Sequence, residues 1–110
     1  MDDKVKTIIE AISKTKGKNT LIYDFTSITP FVDTAIICSA DNMRQVFALA
    51  TNIKNELREK GYDIRGFEGN QDSRWILIDA QEVIVHVFLD EEREIYHLER
   101  LYADLPRVSA

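Results

Sequence analysis

His86 and His97, the only imidazoles in the chain, are the natural candidates for acid–base work, and Cys38, its only thiol, for nucleophilic attack. Such chemistry needs a nucleophile, a base and an orienting group that converge. His86 falls in the strand-like run "VIVHVF" and His97 on a helix-like one, with no Cys or Ser motif beside either, so both read as structural. Cys38 sits in the apolar run "TAIICS", where a lone thiol packs as a small hydrophobe, and a single cysteine supplies neither a disulfide nor metal-ligand spacing. Asp24 and Asp33 flank a loop near strand ends, where carboxylates can hold a metal; the same positions suit the capping of a turn or helix, which is the reading preferred here. Gly17, Gly61, Gly66 and Gly69 form neither a GxGxxG nor a GxxxxGK[ST] cradle for phosphate. No catalytic residue, metal ligand or cofactor is therefore assigned.

The elements that would position these residues follow from periodicity. Val5, Ile8, Ile9 and Ile12 recur at helical spacing, with Glu10 four residues before Lys14 on the polar side, so residues 3–15 read as an amphipathic helix ended by "KGKN". "TLIYDF" and, beyond a loop containing Pro30, "TAIICS" read as strands. Met43, Val46, Phe47, Ala50, Ile53 and Leu57 mark a central helix, with Ser39 or Asp41 as its cap and Gly61 as its stop. Three more strands are expected in "YDIRGF", "RWILID" and "VIVHVF". The closing "DEEREIYHLERLYADL" reads as one helix with acids in its first turn and Ile95, Leu98, Leu101 and Tyr102 as its apolar stripe, ending before Pro106. The order α-β-β-α-β-β-β-α predicts an α/β fold: a single compact domain over residues 1–110, with a mixed sheet of about five strands packed with helices.

The stretch "SRWILIDAQEVIVHVF" is the most informative. If Asp79 to Glu82 make a tight hairpin turn, residues whose numbers sum to about 161 face one another. Ile76, Ile78, Val83, Val85 and Val87 then share a core face broken only by Arg74. Trp75, Leu77, Asp79, Glu82, Ile84, His86 and Phe88 share the other face, an apolar centre edged by two carboxylates and an imidazole. That is the composition of a binding patch with a Trp anchor. A helix covering this face too, with Trp75 partly buried and His86 hydrogen-bonded locally, is the alternative for any one of these residues taken singly. A second copy of the chain could also cover the patch, as a homodimer.

With a net charge of −5, the chain lacks the clustered cations that phosphate binding needs, so no sequence-specific nucleic-acid contact is expected and a basic partner is. No apolar run is long enough to span a bilayer, and no Arg-rich transit-like extension precedes the first helix. A bacterial cytoplasm is the expected location.

"RQVFALA", "EG", "RWILID", "VIVHVF", "REIYHLERLY" and "DLPRV", in this order and spacing over nearly the whole chain, resemble the ribosomal silencing factor family, also called Iojap-like proteins. The resemblance implies a fold like a minimal nucleotidyltransferase domain. It also implies a translational repressor that binds the large ribosomal subunit through its fourteenth protein and blocks subunit joining when nutrients are scarce. Its partner-binding strand falls on Trp75 and Asp79, with Leu77 between them and Glu68 of the "EG" turn at the rim. The nucleotidyltransferase likeness raises the alternative of an enzyme, but those enzymes carry a Gly-Ser dipeptide and paired carboxylates for Mg²⁺. This chain has no Gly-Ser, and Asp33 is followed by Thr34 and Ala35, which leaves two-metal chemistry without ligands. Thr34 and Ala35, and "DAQEV" in the hairpin, depart from the family pattern and bear on local contacts and turn geometry.

Overall fold

In the computed structural model, which describes residues 2–109, the chain runs α1 (Asp3–Lys14), β1 (Lys18–Asp24), β2 (Thr34–Ala40), α2 (Met43–Glu59), β3 (Gly66–Glu68), β4 (Trp75–Ala80), β5 (Val83–Leu89), α3 (Asp90–Tyr96) and α4 (Leu98–Leu101). The five strands form one sheet in the order β1-β2-β5-β4-β3. Among the described residues only the β2–β5 pair is parallel, because only there does a helix, α2, intervene to carry the chain back across the sheet. The mixed α/β sheet expected from the sequence is therefore present.

Helices α1 and α2 lie on one face. Ile8, Leu49, Ile53 and Leu57 from the helices meet Ile36, Cys38, Ile76, Ile78, Val83, Val85 and Val87 from the sheet, and each of these side chains is fully buried. Helix starts are set locally. Asp2 accepts a hydrogen bond from the Val5 amide at α1. Asn42, and neither Ser39 nor Asp41, accepts from the Gln45 amide at α2. Ser39 is unavailable because it belongs to β2 and is fully buried, and the carboxylate of Asp41 is drawn to Lys18. Gly61, with φ of 84°, ends α2 as expected, since a left-handed residue after the last turn lets the Tyr62 amide reach back to the Leu57 carbonyl at 3.0 Å.

Two expected elements differ. The strand read in "YDIRGF" shrinks to Gly66–Glu68, because Tyr62 and Ile64 turn their side chains to the helix-side core, where the Tyr62 hydroxyl donates to Asp3 at 2.6 Å. The closing helix is broken at His97, which is left-handed with φ of 50°. A non-glycine residue there costs about 1 kcal/mol or more. The break turns Leu98 under the sheet until it is 9% exposed, and burying a Leu stabilises by about 2 kcal/mol. The same turn leaves Ile95 and Leu101, expected in the same buried stripe, out in solvent at 72% and 76% exposure.

Candidate partner-binding site

The site is built on the face of β4 and β5 turned away from α1 and α2. The hairpin closes with Ala80 opposite Val83, so that Gln81 and Glu82 alone form the turn, and Gln81 takes φ of 72°. Trp75 faces Phe88, Leu77 faces His86 and Asp79 faces Ile84. Pair numbers thus sum to 163 rather than about 161, a shift of two that preserves the assignment of residues to faces, because side chains alternate with period two. The prediction that Trp75, Leu77, Asp79, Ile84, His86 and Phe88 share one face therefore holds.

Glu82 does not belong to it. As a turn residue it leaves the alternation, and its carboxylate accepts from Lys4 Nζ at 2.7 Å on the α1 side. Its pKa is held below the ordinary carboxylate value by that hydrogen bond. Lys4 also donates to the Ala80 carbonyl at 3.0 Å and lies 5.2 Å from the centre of the Tyr62 ring. The turn is thereby clamped to the first helix, and Glu82 is structural.

The shared face is itself divided. At its β1 side, Tyr23, Ile37, Phe88 and Leu98 form a second small core, with Leu21, Phe25, Trp75, Tyr102 and Leu105 packed against it. Phe88 is fully buried and His86 is 9% exposed, so neither is presented to a partner, contrary to the sequence reading. The cover comes from the segment beyond His97. Tyr102 packs edge-on against Tyr23 and Phe25, with ring centres 5.2 and 5.0 Å apart, and Arg107 bridges to Tyr23. Arg93, buried on α3, ties this cover down through Ser39 Oγ at 3.1 Å and Glu99 Oε2 at 3.3 Å.

At the other side Leu77, Asp79 and Ile84 remain partly exposed, and Glu68, opposite Leu77 on β3, is exposed at the rim as expected. Asp79 is held in place. Its Oδ1 accepts from the Gln81 amide at 2.9 Å and its Oδ2 from Arg65 Nε at 3.1 Å. Trp75 stands at the boundary, half-buried. Its indole stacks on Phe88 at 4.7 Å, lies 4.9 Å from Tyr96, and donates through Nε1 to His86 Nδ1 at 3.2 Å. The alternatives posed by the sequence, a covered face or an open one, each describe one half. Arg65 and Tyr96 were missed: Arg65 fell inside an expected strand, and Tyr96 lies outside the helical stripe that an unbroken closing helix would bury.

Burial pushes the His86 pKa down to about 4. The ring is therefore neutral at pH 7, and because Nδ1 accepts from Trp75, the hydrogen-bond network assigns the proton to Nε2, 3.4 Å from the Tyr102 hydroxyl. An unfolded chain takes up this proton below about pH 6.5, whereas the folded one resists until about 4, so stability falls as the pH drops through that window. The expected loss is about 2 kcal/mol at pH 5 relative to pH 7.5. Urea midpoints at the two pH values should show it in wild type and much less of it in His86→Gln. Equal slopes in the two proteins would remove His86 as the cause. The lowered carboxylates Asp3, Asp24, Asp41 and Glu82 act only below their ordinary values near 4.

The other candidates for chemistry are placed as follows. Cys38 is fully buried, donates to the His86 carbonyl at 3.7 Å, and is pushed up to about 12 by burial, so it is packing material. Asp24 accepts from both the amide and the hydroxyl of Thr26, at 2.9 and 2.6 Å, the turn-capping role expected of it. Among the described residues no group of three or more His, Cys, Asp or Glu side chains could hold a metal, and no helix is long and apolar enough to cross a membrane.

A family model described as "Ribosomal silencing factor during starvation" matches residues 1–110. The chain is 39% identical over 97 residues to the ribosomal silencing factor of Chromobacterium violaceum, covering 88% of this chain and 80% of that protein. It is 34% identical over 102 residues to that of Bacillus subtilis, covering 93% and 86%. A crystal structure of a Chromobacterium violaceum protein superposes with a TM-score of 0.87 at 38% identity, covering 94% of this chain and 88% of the other. The motifs quoted from β4, β5 and the closing segment, the sheet that carries them and these matches along the chain agree, and the chain belongs to the ribosomal silencing factor family.

Proposed function

We propose that this protein represses translation by binding the large ribosomal subunit through its fourteenth protein and standing where the small subunit must dock, under nutrient limitation in a bacterial cytoplasm. The observation that carries the reading is the uncovered row of β4: Leu77 and Asp79 lie side by side with Ile84 and Glu68, next to an anchored Trp75, on a face otherwise covered by α4 and the residues after it. An apolar strip edged by carboxylates on an acidic protein complements a basic protein surface: the apolar area supplies affinity, and the charges supply rate and orientation. Occupancy alone performs the task, so no nucleotide transfer is required.

The test is sedimentation of purified large and small subunits with the protein added. Wild type should travel with large subunits and reduce joined ribosomes. Asp79→Lys should weaken binding at least tenfold, since it places a cation where a basic partner approaches. Its effect on folding should be about 1–2 kcal/mol, because the pair with the 60% exposed Arg65 contributes little while the Gln81 amide loses its acceptor. If wild type neither travels with large subunits nor affects joining, the reading fails. In that case self-association through the same strip, visible as a concentration-dependent sedimentation coefficient, takes its place.

A further inference from the structure

We infer that Arg65 is an internal competitor for Asp79, and that it sets how tightly the uncovered strip engages a cationic partner. This rests on the reading of Asp79 as a partner contact. The backbone builds the competition in: the Arg65 amide donates to the Asp79 carbonyl at 2.8 Å, which keeps Arg65 next to Asp79 whatever the side chain does, and its Nε reaches Asp79 Oδ2 at 3.1 Å. The residue directly opposite Asp79 on β3 is Gly66. A methyl group there would meet only Asp79 Cβ, at 3.6 Å, so the glycine leaves space beside the carboxylate rather than answering a packing need. Asp79 is thus open to an incoming group on the Gly66 side while one oxygen is held by Arg65 and the other by the Gln81 amide.

The Arg65 side chain is 60% exposed and that of Asp79 27%, so the pair is weak and displaceable. A Lys or Arg of a basic protein approaching Asp79 must share the carboxylate with Arg65 and is repelled by it. Arg65 therefore lowers affinity and keeps the complex reversible, and it discriminates against partners that lack a cation placed to compete.

The test measures binding to purified large subunits for wild type, Arg65→Gln, Asp79→Asn, the double variant and Lys14→Gln. Lys14→Gln makes the same change in net charge at an ion pair with Glu56 in the helical layer. Arg65→Gln should bind about three- to fivefold more tightly than wild type at low salt, with the gain shrinking at high salt. The gain should vanish in the Asp79→Asn background and should not be reproduced by Lys14→Gln. Unchanged or weaker binding by Arg65→Gln overturns the inference, as does a gain that survives Asp79→Asn or is matched by Lys14→Gln. If wild type itself fails to bind large subunits, the proposed function falls and this inference with it; if wild type binds and Arg65→Gln shows no gain, only the inference falls.

Discussion

Trp75→Ala is expected to weaken binding to the large subunit by about thirtyfold or more, the equivalent of about 2 kcal/mol, and also to destabilise the domain by about 2 kcal/mol. Both losses follow from where the indole stands. One side of it is committed to the protein, through the stack on Phe88 and the hydrogen bond to His86, and truncation removes that packing and leaves the His86 Nδ1 acceptor without its donor. Beyond that, the half-buried ring lies 4.9 Å from Tyr96, itself 53% exposed, and shares its strand face with Leu77 of the uncovered strip. A fully buried Trp would cost about 3–5 kcal/mol on truncation; half-burial reduces this, and the remainder of the ring is what a partner would cover. The two effects separate when the unfolding free energy is measured from urea titration and the binding isotherm is corrected for the folded fraction. If the corrected affinity of Trp75→Ala equals that of wild type, the indole is purely structural and the anchor lies elsewhere on the strip.

Phe88→Ala should produce the largest loss of stability, about 3–5 kcal/mol, against the roughly 5–15 kcal/mol typical of a whole domain. Phe88 is among the largest fully buried side chains and sits in the small core that holds Tyr23, Ile37 and Leu98 together. That cluster has few members, so its collapse around the vacated space is limited and the cavity term is large. A fall in melting temperature of roughly 15 °C is expected. Because Trp75 is the only Trp in the chain and stacks on Phe88, its fluorescence should shift to the red in the folded variant as the ring gains contact with water. A loss below about 1 kcal/mol with unchanged emission would show that the cover made by Leu98 and Tyr102 is not a packed core. Phe88→Ala also removes the platform under Trp75, so it should weaken ribosome binding without Phe88 touching the partner.

The helix-side core was legible because α1 and α2 repeat their apolar residues at helical spacing while β4 and β5 alternate, and each pattern has only one way to bury itself. The assignment of Trp75, Leu77 and Asp79 to one face survived an error in the hairpin register for the same reason: a shift of two returns every side chain to its side. Glu82 was misplaced because a turn residue obeys no alternation, and nothing local announces that Lys4, 78 residues away, will claim its carboxylate.

By itself, then, the sequence determined the order of elements as far as the closing helix, the helix-side core, the open-face identity of Trp75, Leu77, Asp79 and Ile84, and through its motifs the family, since all of these rest on local periodicity and residue order. Only the tertiary structure decided how much of that face stays open. The break at His97, the descent of Leu98 and Tyr102 onto Tyr23 and Phe88, and the pairing of Arg65 with Asp79 depend on residues distant in the chain. Their balance of burial against backbone strain and charge against charge exists only once the sheet has brought them together.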